Sequence, residues 1–139
     1  MGDIKKEALS IFKDYQTVFL ATVQGNKPLI RPVTLVCIDQ EFWVITGTTK
    51  AKVKQIQKNS KIEFCLYLPK KGGNGYLRLA GKAEIVEDKK SKTNIAKHCD
   101  FFDEYWKSAD DPNYTLIKIH PAEIEYLRQG DFQARRIKL

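Results

Sequence analysis

A mainly β fold, a largely antiparallel β-barrel carrying helices, is what this sequence predicts, with six to seven strands and about three helices. Three observations carry that expectation. Six or seven short β-rich runs are joined by tight turns. Only three stretches have helical period, and each is modest. The strict strand and helix alternation of a parallel sheet is missing, which argues against a Rossmann architecture.

Asp3 reads as the cap of a first helix, because Ile4, Ala8, Ile11, Phe12 and Tyr15 recur at helical spacing behind it. From Gln16 the period changes. QTVFLATVQ and LIRPVTLVCI are rich in β-formers and flank GNKP, which predicts a hairpin. Pro32 has no N–H for a ladder, so its strand belongs at an edge or carries a bulge near Arg31. Asp39-Gln40 turns the chain into a third strand, EFWVIT. TGTT then leads into a short helix, with Thr48 or Thr49 as N-cap and Val53 and Ile56 on the buried face. KIEFCLYL predicts a fourth strand ending at Pro69, PKKGGNG a loop, and YLRLAGKAEIVE a long fifth strand bulged or bent at Gly81. DKKSKTNIAKHCDFFDEYW has a helical pattern that places Ile95, Cys99, Phe102 and Trp106 on one face. KSADDPN loops into YTLIKIH, and EIEYLR follows a proline. No repeat, low-complexity segment or linker interrupts residues 1–139, so one domain is expected.

A chain of 139 residues with 42% apolar and 11% aromatic content is not of the disordered class. Its 24 basic and 17 acidic residues leave a net charge of +7, which favours anionic partners without saying which. The N-terminus lacks the apolar run of a secretory signal, and nowhere do the roughly 20 apolar residues of a membrane span occur. Cys37, Cys65 and Cys99 form no C-x-x-C pair. Reduced, mostly buried thiols in a cytoplasmic protein are the expectation.

Most of the apparent motifs fail on spacing. GYLRLAGKA has five residues between its glycines and an alanine after the lysine, so it is no P-loop. GGNG at 72–75 lacks the strand-to-helix context of a dinucleotide fingerprint and reads as a flexible loop. His98 and His120 find no nucleophile and acid at triad spacing, and His98-Cys99 point in different directions on a helix, so no catalytic residue and no metal site is assigned.

One stretch has a different character. In TGTTKAKVK, lysines 50, 52 and 54 crowd the end of a helix whose dipole favours anions. The hydroxyls of Thr46, Thr48 and Thr49, the free N–H groups and the ammonium groups of Lys50 and Lys52 fit a single dianion, with Arg31 adding a planar fork from the neighbouring strand. The alternative is a row of lysines on a solvated helix face. Local composition alone leaves both readings open.

Taken in order, TVFLATVQGNKPLIRPVTLVCIDQEFWVITGTTKAKVKQIQKNSKIEFCLYL, YLRLAGKAEIVED and DDPNYTLIKIHPAEIEYL resemble the pyridoxamine 5′-phosphate oxidase-like superfamily, in the branch of short proteins related to general stress protein 26. The resemblance implies an FMN-binding split barrel, a homodimer with FMN in clefts between subunits. It implies that Arg31, Pro32, Val33 and Thr34 lie along the flavin, with Arg31 at its phosphate or ribityl chain. Ile45 and Thr46 would meet the ring and ribityl, Lys52 matches the family's phosphate lysine, and Lys50 falls where many members have serine. Tyr76 corresponds to a glutamine near the flavin of the oxidases.

There are departures as well. The extension that holds pyridoxal phosphate in true oxidases is not evident before Leu139, Leu127 stands where relatives often have tryptophan, and TGTT lacks the histidine of nitroimidazole-resistance relatives. The expected function is therefore flavin-mediated redox of a small molecule other than pyridoxamine phosphate. Carriage of flavin, heme or a deazaflavin without turnover is the alternative. A nucleic-acid-binding barrel would need Phe42, Trp43, Phe64 and Tyr67 as stacking platforms, and these read better as core.

Overall fold

The computed structural model describes residues 2–139. Its elements are α1 (Gly2–Ser10), β1 (Tyr15–Gln24), β2 (Lys27–Ile38), β3 (Glu41–Gly47), α2 (Ala51–Lys58), β4 (Lys61–Leu68), β5 (Gly75–Val86), α3 (Lys89–His98), a 3-10 turn (Phe102–Glu104), β6 (Tyr114–Leu127) and β7 (Arg135–Lys138). The strands run β3-β2-β1-β4-β5-β6-β7, and β3 also pairs with β6, which closes six of them into an antiparallel barrel. β7 lies outside the closure, against β6.

Alternation fills the barrel. Leu20 of β1, Leu35 of β2, Phe64 of β4, Leu77 and Leu79 of β5 and Ile117 and Ile119 of β6 point inward and are essentially fully buried. α1 closes one end through Ala8, with Phe12 stacked edge-on against Phe42 at 4.8 Å. A second core lies outside the wall. Val36, Trp43, Ile45 and Leu116 face outward and are covered by Ile95, Cys99 and Phe102, so β3 is buried on both faces.

Several expectations shift in detail. Asp3 sits inside the first turn of α1 instead of capping it, and Tyr15 already belongs to β1. GNKP contributes only Gly25 and Asn26 to the turn, since Gln24 pairs with Lys27; Gly25 takes φ 62°, the left-handed geometry a two-residue hairpin requires. The helix of the third stretch ends at His98, yet Cys99, Phe102 and Trp106 still reach the outer core. YTLIKIH and EIEYLR form one continuous strand through Pro121, and the seventh strand is the unforeseen β7. Phe42, Trp43 and Phe64 are core, while Tyr67 is half-exposed. Pro32 costs no ladder bond: β3 pairs with β2 only from Leu35 to Ile38, so the far side of β2 is an open edge at Pro32.

The tail is locked to α1 by charge. Arg128 donates to both carboxylate oxygens of Glu7, at 2.8 and 2.9 Å, and the Tyr126 hydroxyl donates to the same group at 2.7 Å. The Arg128 bonds first and the Tyr126 bond second hold the Glu7 carboxyl at about 2, against an ordinary 4.5. A folded-state value below the unfolded one stabilises the fold at pH above 4.5, and that contribution disappears as pH falls towards 2. Thermal melts of wild type and Glu7→Gln should therefore differ by a constant gap near neutrality that closes across this window. A gap independent of pH would contradict the assignment.

Candidate functional site

The barrel splits where β2 and β3 part. After Leu35 and Val44 the two strands no longer pair; β3 continues against β6 and the open edge of β2 runs on alone. A cleft of about 400 Å³ lies in the split, floored by Pro32, Val33 and Thr34 of β2 and by Ile45, Thr46 and Gly47 of β3. Its two ends differ in chemistry.

One end is cationic. α2 begins there with Lys50 as its N-cap residue, in extended geometry and with no side-chain cap bond. Lys52, in the first turn, is half-buried and donates from Nζ to Thr46 Oγ1 at 2.8 Å. Burial, then the charges of Arg31 and of Lys50, push the Lys52 ammonium below its ordinary value. No aspartate or glutamate is among the residues lining the cleft. Lys50 and Lys52 thus share a corner that no carboxylate lines, with the charge of Arg31 close behind Lys52, and Thr46 is only 7% exposed.

Aromatic rings wall the other end. Tyr15, Phe101, Tyr105 and Trp106 line it, with Tyr15 and Phe101 edge-on at 5.4 Å and Tyr105 and Trp106 tilted at 5.5 Å. Three of the four come from the segment after α3. That segment is docked by Trp106 Nε1 and Thr48 N, which both donate to Asn113 O at 2.9 Å. The Tyr15 hydroxyl donates to His98 O and accepts from Asp100 N, so it is committed to the protein.

Of the residues expected at the site, Pro32, Val33, Thr34, Ile45, Thr46, Lys50 and Lys52 meet in this cleft. Arg31 does not line it. The residue alternation of β2 turns its side chain to the inner face, where Nη1 donates to Leu20 O at 3.1 Å and Nη2 to Gln55 Oε1 at 3.0 Å, close enough to Lys52 to repel it. Thr48 and Thr49 are corrections. Neither caps α2; Thr48 Oγ1 donates to Pro112 O at 2.8 Å and must then accept from Thr115 Oγ1 at 2.7 Å, and Thr49 is exposed outside the cleft. Tyr76 is the third. It lies on the outer face of β5, donating to Glu125 Oε2 at 2.8 Å in a network with Arg78 and Glu63, and lines no part of the cleft.

Sequence reasoning missed the aromatic wall, reading Trp106 only as part of a helix face, and missed Gln55, which is 8% exposed between Val53 and Ile56. Gln55 had a signal: a polar residue three positions after Lys52 lies on the same helix face. Phe101 and Tyr105 had none, because only the docking of residues 101–106 against Asn113 brings them there; Tyr15 reaches β2 by strand pairing with Val36, which its reading as a helix residue hid.

A family model described as Pyridoxamine 5'-phosphate oxidase matches residues 4–128. General stress protein 26 of Bacillus subtilis (strain 168) is 28% identical over 130 residues, which cover 93% of this chain and 91% of that protein. The crystal structure of the General Stress Protein 26 from Bacillus anthracis str. Sterne superposes with a TM-score of 0.78 at 26% identity, covering 98% of each chain. A heme binding protein from Mycobacterium smegmatis shares the fold alone: TM-score 0.77 and 13% identity, over 95% of this chain and 56% of its own.

Proposed function

The chain belongs to the pyridoxamine 5′-phosphate oxidase family, and from that premise we propose that it is an FMN-binding oxidoreductase-like protein acting on a small molecule. The observation that carries the reading is the Lys52 and Thr46 pair, bonded at 2.8 Å in a half-buried cationic corner that no carboxylate lines. A phosphate dianion is the partner such a corner lacks. Lys52 and Lys50 would hold the phosphate, with Arg31 lending charge from behind; Thr46 would orient Lys52. The strand edge from Pro32 to Thr34, together with Ile45, supplies an apolar floor for a flat ring, and the aromatic wall keeps water from it.

FMN, when bound, supplies the hydride and electron chemistry; the side chains have other work. Lys50 and Lys52 place positive charge at one end of the cleft. No histidine, aspartate or glutamate lines it; its proton-bearing side chains are Lys50, Lys52, Tyr15 and Tyr105.

A homodimer is part of the same proposal. Ile30 and Phe19 are 69% and 43% exposed and, with Pro32, form an apolar strip on the outer face of β1 and β2. Pro32 belongs to both strip and cleft, so a second chain packed on the strip would close the cleft's open side.

The test is an absorption spectrum and a sedimentation profile of the purified chain after FMN addition. The expected result is a bound flavin spectrum on a particle of two chains. Failure of native and refolded protein alike to retain FMN would overturn the reading. A heme band in its place would exchange the ligand; the cleft has no histidine, cysteine or methionine to ligate iron, and of its two tyrosines Tyr15 is already engaged, which leaves Tyr105. A bound deazaflavin spectrum would keep the site and change the cofactor.

A further inference from the structure

Behind the cationic end of the cleft, the inner face of the barrel holds a small polar network. Thr22 and Gln55 are 1% and 8% exposed, and Arg31 reaches them from β2. Gln55 Oε1 accepts from Thr22 Oγ1 at 2.6 Å and from Arg31 Nη2 at 3.0 Å, while Arg31 Nη1 donates to Leu20 O at 3.1 Å. Arginine can only donate, so the atom of Gln55 that faces it is the amide oxygen. Neutral acceptors thus hold the guanidinium, and it forms no ion pair among the described residues. Burial alone pushes Arg31 below its ordinary value.

Local electrostatics would select a different residue at position 55. Glutamate has the size and shape of glutamine, would accept the same hydrogen bonds from Thr22 and Arg31, and would hold the arginine more strongly through its charge. Lys52 lies one turn earlier on the same face of α2, so a carboxylate at 55 would offset its charge as well. Glutamine fixes Arg31 and leaves both cations their full charge. For the ligand-free protein that is the weaker choice, and for a protein that receives a dianion at Lys52 it is the stronger one.

We propose that Gln55 is a positioning residue that sets the specificity of the cleft: a neutral acceptor that anchors Arg31 behind Lys52 without cancelling positive charge, and so favours FMN over riboflavin. Gln55 does not line the cleft and acts through Arg31 and Lys52. The inference rests on the phosphate reading of the cleft and deepens it.

Gln55→Glu in the full chain is the test, read by dissociation constants for FMN and riboflavin and by melts without flavin. Beside Arg31 and Lys52 the new carboxylate stays ionised near neutral pH. FMN binding should weaken by about tenfold or more and riboflavin binding by less than about threefold, while the melting temperature without flavin holds or rises. A glutamine with only a structural role would give the reverse, a lower melting temperature and equal loss of both flavins, and that result overturns the proposal. Thr22→Val is the control, because it removes a hydrogen bond to Gln55 and no charge. It should lower the melting temperature and leave the preference for FMN in place; a preference that falls as far as in Gln55→Glu would also overturn the proposal. If the wild type prefers FMN, loses that preference in Lys52→Ala and keeps it in Gln55→Glu, the phosphate reading stands and this inference fails. Equal binding of both flavins by the wild type would remove both.

Discussion

Alanine at position 52 should raise the dissociation constant for FMN by about 10- to 100-fold, while riboflavin, which has no phosphate, changes by less than about threefold. The size follows from one charge-assisted hydrogen bond, worth about 1.5–3 kcal/mol, with 1.4 kcal/mol to each factor of ten. The sign for the ligand-free protein is different. Lys52 is disfavoured in its charged form there by burial and by Arg31 and Lys50, and its one hydrogen bond is to Thr46. Removing it relieves that repulsion, so the melting temperature without FMN should hold or rise slightly, while the increment added by FMN shrinks. Fluorescence titration with both flavins, together with melts in the presence and absence of FMN, separates these effects. Equal losses for FMN and riboflavin would remove the phosphate role. A lower melting temperature without ligand would make Lys52 a structural residue first.

How much of this was legible from the residues depends on how far away each partner lies in the chain. Most strands were readable because one face is buried and the side chains alternate: in β4, Ile62, Phe64 and Leu66 are core, and Glu63, Cys65 and Tyr67, which alternate with them, are not. Lys52 and Thr46 were readable as a pair because six residues and a helix start separate them. Thr48 was misread for the opposite reason. Its hydroxyl is an ordinary cap by local rules, but Pro112 and Thr115, 64 and 67 residues away, take it first. Arg31 was placed on the right strand, but its bond to Gln55 was not foreseen, since nothing local announces that Gln55 turns inward to meet it. Tyr76 came from family correspondence alone, and its hydroxyl is spent on Glu125 of the neighbouring strand. The split itself is a consequence of β3 changing partners from β2 to β6, a long-range choice that periodicity does not encode.

Gly81 is where the largest loss of stability is expected. The register between β5 and β6 slips at Ala80 and Gly81: Ala80 faces Glu123 and Gly81 faces Pro121, so Ala122 is the extra residue of a bulge. Its carbonyl is not wasted, since Leu139 N donates to it at 2.9 Å. The bend brings the two backbones so close that a Cβ on residue 81 would lie 2.1 Å from His120 O and 3.0 Å from His120 C. Both contacts are main chain, so no side chain can swing away to make room. The cost is steric and not one of backbone conformation. Gly81→Ala should destabilise the protein by about 2–4 kcal/mol, the range of overpacking against a rigid neighbour plus disturbed ladder bonds. Lys82→Ala, next door and exposed, should stay within about 0.5 kcal/mol. Gly81 does not line the cleft, so the folded fraction of the variant should bind FMN as the wild type does. Chemical denaturation of the three proteins measures this directly, and a loss below about 1 kcal/mol at Gly81 would mean that β6 yields and the bulge is soft.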